Sequence, residues 1–68
     1  MVPGDVQQSR KILGWSQFRL ETESGVSRNK IALHEQGYRQ LDEHDTTLVD
    51  RALKNGLDRL ANESHENE

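Results

Sequence analysis

Arg28, Asn29, Ala32, Leu33 and Gln36 recur at the spacing that places side chains on one face of a helix. Their chemistry suits recognition rather than bond making. A guanidinium offers guanine two donors, a carboxamide offers adenine a donor and an acceptor, and Ala or Leu can rest on a thymine methyl. The ordinary reading of Arg28 and Asn29 is a solvated helix start. Leu33 is either a stray apolar residue on a polar face or a methyl contact. The neighbouring residues decide between these readings. Arg28 follows Gly25-Val26-Ser27, a corner flanked by two short helix-like runs.

Other chemistry finds little support. His34, His44 and His65 do not have zinc-site spacing, and there are no cysteines to supply thiolates or disulfides. His34 reads as a packed helix residue. A Ser-His-Asp site needs a pocket that about 60 ordered residues scarcely provide. Asp42, Glu43 and Asp45 lack a calcium-loop pattern and read as a solvated loop. Gly14, Gly25, Gly37 and Gly56 punctuate helices and do not form a phosphate loop. We therefore expect no enzyme activity, metal, cofactor or small-molecule ligand.

The 68 residues allow one small domain. Only 31% are hydrophobic, so the core is marginal and a second copy of the chain is the simplest source of extra stability. No run of about 20 apolar residues is present to span a membrane, and the N-terminus has no apolar signal segment. The expectation is a complete, soluble, cytoplasmic protein. The net charge of −3 does not advertise a polyanion partner, but it is unevenly spread. Ser9 to Gln40 carries +3 and the remainder −6, so a basic half can meet phosphate while an acidic half faces away.

The elements that would position the reading face are helices. Asp5 can cap a first helix that places Val6, Ser9, Arg10 and Leu13 on one face and ends at Gly14. Ser16 caps a second, Gln17 to Ser24, with Leu20 inward, and Gly25 ends it. Val26 pins the corner. Ser27 caps a third, Arg28 to Gln36, with Ile31 and His34 inward, and Gly37 ends it. Residues 38–45 form a loop whose Leu41 tucks under the domain. Asp45 opens a fourth helix through Lys54, with Leu48, Ala52 and Leu53 inward. Asn55-Gly56 breaks it, and Leu57 to Glu63 makes a short fifth helix presenting Leu57 and Leu60. The expected fold is all-α, with four to five helices in one domain over residues 1–61. A disordered acidic tail is expected over residues 62–68.

Gly14-Trp15-Ser16-Gln17, Leu20, Gly25-Val26-Ser27, Ile31, Glu35 and Gly37 occur in one register. Together they resemble the phage repressor/Cro-like helix-turn-helix family, over about Val6 to Leu57. The resemblance implies a lambda-repressor-like domain whose second and third helices form the helix-turn-helix. It also implies base contacts for Arg28, Asn29 and Leu33. Gln17, Ser27 and Arg39 fall where family members touch backbone phosphate, and Gln40 is a weaker candidate. Arg10 and Glu35 match a structural ion pair between the first and third helices. The chain departs from the pattern at Glu21, where the family has a small residue. A carboxylate there would crowd the helix contact unless it swings outward or pairs with a cation. Phe18, on the outer side of the second helix, is also unusual.

The function expected from these residues is sequence-specific binding of double-stranded DNA by a homodimeric transcriptional regulator on a palindromic operator. Leu57 and Leu60, with Trp15 or Phe18, are the expected dimer surface. The alternative is a helix-turn-helix-fold protein-interaction module, of the anti-activator or antitoxin kind, which the acidic balance and Glu21 favour.

Overall fold

The computed structural model describes residues 3–66. It is all-α, with α1 over Pro3–Leu13, α2 over Gln17–Ser24, α3 over Arg28–Glu35 and α4 over Glu43–Glu66. Proline is well placed at the start of α1, where its missing N–H has no helical partner to lose. α2 and α3 begin at serine caps. The Ser16 hydroxyl accepts from the Arg19 N–H at 3.0 Å, and the Ser27 hydroxyl accepts from the Lys30 N–H at 3.2 Å. Between them Gly25 has φ +80°, which a side chain would strain, and its N–H closes α2 on the Glu21 carbonyl at 2.8 Å.

The core is Val6 of α1, Leu20 of α2, Val26 of the corner, Ile31 of α3, and Val49, Ala52 and Leu53 of α4. Leu13, Trp15, Leu41 and Leu48 pack against its rim. Ser24 is the buried polar residue of the corner. Its hydroxyl donates to the Leu20 carbonyl at 2.7 Å and accepts from the Val26 N–H at 3.1 Å, so burial leaves it satisfied. His34 is also buried, at 1% exposure, but neither ring nitrogen has a hydrogen-bond partner among the described residues.

α4 differs most from the sequence expectation. It begins two residues early, because Asp42 rather than Asp45 supplies the capping oxygen, accepting from the Asp45 N–H at 2.7 Å. Asp45 is buried and pairs with Lys30 at 3.1 Å. The inward row is Asp45, Val49, Ala52, Leu53 and Gly56, and Leu48 lies at its edge.

The expected break at Asn55-Gly56 is absent, so there is no separate fifth helix. Glycine weakens a helix by about 1 kcal/mol relative to alanine. Here its bare backbone makes room for the indole of Trp15. A Cβ at residue 56 would lie 2.8 Å from two atoms of that ring and 3.0 Å from Leu13 Cδ1. Packing thus overrides the local breaker. α4 also runs on through Asn62 to Glu66, where a disordered tail is expected; Asn67 and Glu68 lie outside the described residues. A 24-residue helix is about 36 Å long, which gives the molecule its 42 × 19 × 19 Å shape.

Candidate functional site

Two clusters of side chains meet on α2, one inside the molecule and one outside. The inner cluster ties α1, α2 and α3 together. Arg10 Nε donates to Glu35 Oε2 at 2.9 Å, and Arg10 Nη2 donates to Glu35 Oε1 at 2.9 Å. The third arm of the guanidinium, Nη1, donates to the Trp15 carbonyl at 2.8 Å. Gln17 Nε2 adds a bond to Glu35 Oε1 at 3.1 Å. The two charged side chains are only 13% and 3% exposed.

Burial alone would raise the Glu35 pKa. The hydrogen bonds from Arg10 and Gln17, with the nearby positive charge of Arg10, outweigh it and hold the carboxyl below its ordinary range. The hydrogen bond to Glu35 likewise raises the Arg10 pKa, against its own burial. A fork-on-fork pair of this kind fixes both angle and distance. It sets the end of α1 and the entry to α2 against the end of α3.

The outer cluster lies where α2 overlooks the start of α3. Phe18 and Glu21 are one helical turn apart and share a face. Glu21 Oε2 accepts from the Arg28 backbone N–H at 2.8 Å. The Arg28 guanidinium lies over the Phe18 ring, 4.5 Å from its centroid. Glu21 therefore does not crowd the helix contact; it swings to the start of α3 and caps a free donor there. Phe18 is 62% exposed, and Arg28 and Asn29 are exposed beside it.

The other expected contact residues divide by position. Leu33 and Ala32 are half-buried on α3, and Gln36 is exposed. The hydroxyl of Ser27 is exposed while it caps α3. The amide nitrogen of Gln17, expected to face phosphate, is directed instead to Glu35. Arg39 and Gln40 are exposed in the connection from α3 to α4. They border a hollow of about 60 Å³ with Lys30, Leu41, Asp42 and Asp45. Neither Arg28 nor Arg39 enters an ion pair among the described residues. Lys30 is tied down by Asp45, and Arg19 lies over Trp15 and reaches Glu23 at 3.7 Å.

Sequence reasoning misses the stacking of Arg28 on Phe18 and the cap from Glu21. The available signal is the three-residue spacing of Phe18 and Glu21 on the side of α2 that faces the corner. Among the described residues, no three metal-ligating side chains converge. No helix there is long and apolar enough to cross a membrane. Comparison with protein-family models, curated proteins and solved structures gives no match for this chain.

Proposed function

We propose that the chain is a sequence-specific double-stranded-DNA-binding regulator of transcription, with α2, the Gly25-Val26-Ser27 corner and α3 acting as a helix-turn-helix. In this reading α2 lies across the DNA backbone, and α3 enters the major groove N-terminus first. The observation that carries the reading is the pair Arg28 and Asn29. They stand exposed and side by side at the groove end of α3, and among the described residues the Arg28 guanidinium has no carboxylate partner. Arg28 then reads guanine, Asn29 reads adenine, and Leu33 supplies an apolar contact farther along the helix. Ser27, Arg39 and Gln40 flank this face as phosphate contacts. Gln17 contributes through whatever part of its amide remains outside the bond to Glu35.

A chain this small, with one reading helix, gains affinity and specificity by pairing. We therefore propose a homodimer on a palindromic operator, with half-sites about 34–36 Å apart. The net charge of −3 and the carboxylate of Glu21 at the corner favour a second reading, a protein-interaction module on the same fold.

Selection of bound sequences from a random duplex pool, followed by titration of the selected duplex at two salt concentrations, separates the two. DNA reading predicts an enriched palindrome, with affinity falling steeply as salt rises because phosphate counterions are released. A folded protein that enriches no sequence overturns it.

A further inference from the structure

The contact between Phe18 and Arg28 has a consequence for specificity, and it rests on the DNA-binding reading above. We propose that Phe18 is a specificity-determining residue, whose ring positions the Arg28 guanidinium to read one guanine in each half-site.

A free arginine at a helix start has many rotamers, and each must be given up on binding. In this protein both ends of Arg28 are held by α2. Glu21 accepts from its backbone N–H at 2.8 Å, and Phe18 lies under its guanidinium at 4.5 Å. A guanidinium held over a ring by cation–π attraction spends no N–H donor on it, and among the described residues the Arg28 guanidinium has no ion-pair partner. Its N–H edge is what guanine O6 and N7 require. Arg10 provides the contrast within the same chain. Its edge donors are spent on Glu35 and the Trp15 carbonyl, so it can read nothing.

The same geometry argues against a phosphate seated on the Arg28 backbone N–H. Glu21 already holds that donor, and an anion at that point would meet its carboxylate. A base edge, neutral and approached from the side, meets neither obstacle. Phe18 is 62% exposed, so its ring is not committed to the core and is available for this role.

The test compares wild type with Phe18→Leu and Phe18→Tyr on the duplex that wild type selects. Each base pair of one half-site is varied in turn, and thermal melts establish that all three proteins are folded. Leu keeps apolar bulk without a π face, whereas Tyr keeps the face. Phe18→Leu should lower the preference for guanine at one base pair about three- to tenfold. Preference at the other positions and the salt dependence should stay as in wild type, and Phe18→Tyr should retain the preference. In an Arg28→Ala background, Phe18→Leu should have no further effect. The assignment is overturned if Phe18→Leu keeps full guanine preference, if it weakens every sequence equally, or if its effect is undiminished without Arg28. If wild type itself selects no sequence, the DNA-binding reading fails first and this assignment falls with it.

Discussion

The inner cluster of Arg10, Gln17 and Glu35 and the outer cluster of Phe18, Glu21 and Arg28 use nearly the same parts. Each has one arginine, one glutamate and side chains from the first turns of α2. They differ in what surrounds the arginine. Arg10 is nearly buried, and its donors are matched by a carboxylate and a carbonyl. Arg28 is exposed, lies on a ring, and keeps its donor edge open. Burial turns an ion pair into a structural clamp, because either charge left alone is costly. Exposure makes the same side chain nearly irrelevant to folding and leaves it free to recognise something else.

The largest expected effect is therefore on the inner cluster. Arg10→Ala strands the Glu35 carboxylate at 3% exposure, and Glu35→Ala strands Arg10 in turn. Each should cost about 3–5 kcal/mol, measured by urea or thermal unfolding. A domain of this length is stable by roughly 3–10 kcal/mol in all, so either change should leave much of the chain unfolded at 37 °C. Replacing both partners with apolar residues, Arg10→Met with Glu35→Leu, should recover most of the loss, because neither charge is then left buried alone. A mild effect from either single change would mean that the pair is a surface contact.

Acid probes the same clamp. The folded-state pKa of Glu35 is lowered, so the unfolded chain takes up its proton first. The contribution of Glu35 to stability is fully present above about pH 4.3, the ordinary glutamate value, and is lost as the pH falls through the lower folded value. Wild type should therefore lose stability faster below that pH than the Arg10→Met, Glu35→Leu double variant. Parallel pH profiles would remove Glu35 from the account.

Gly56→Ala should give an intermediate effect of about 1 kcal/mol destabilisation. Overpacking against Trp15 costs about 1–3 kcal/mol, and the helix regains about 1 kcal/mol from alanine. With Trp15 shortened to Leu the two 2.8 Å contacts are removed and only the flexible tip of Leu13 must give, so the same Gly56→Ala change should become stabilising. Calorimetric melting of the four proteins reads the sign directly.

The outer cluster should give the smallest effects on folding. Glu21→Ala removes one capping acceptor and should cost about 0.5–1 kcal/mol. Arg28→Ala should stay within about 0.5 kcal/mol of wild type. A large loss at Arg28 would erase the contrast between the two clusters.

Much of the fold is legible in the sequence, because local chemistry decides it. Ser16 and Ser27 are good caps, Gly25 permits the corner, and Leu20, Val26 and Ile31 have the spacing of a buried face. The misreadings occur where distant residues decide. Asn55-Gly56 reads as a break until the indole of Trp15 is seen against Gly56. Asp45 reads as a cap until Asp42 takes that role and Lys30 draws Asp45 inward. Val49 rather than Leu48 lies on the buried row, because the face of α4 that meets the core is set by the other helices. At the candidate site, the exposure of Arg28 and Asn29 follows from helix periodicity. The swing of Glu21 onto the start of α3 and the stacking of Arg28 on Phe18 depend on how two helices cross, which spacing along one chain does not specify.

If Arg28 reads a base, as proposed, replacing it must change one base preference and leave the fold intact. Wild type and Arg28→Ala are titrated against the selected operator and against operators changed at single base pairs. The account predicts that Arg28→Ala remains folded and loses about 1–3 kcal/mol of discrimination at one base pair per half-site, while preferences elsewhere are kept. Unchanged affinity and unchanged preference in a folded Arg28→Ala protein would contradict it.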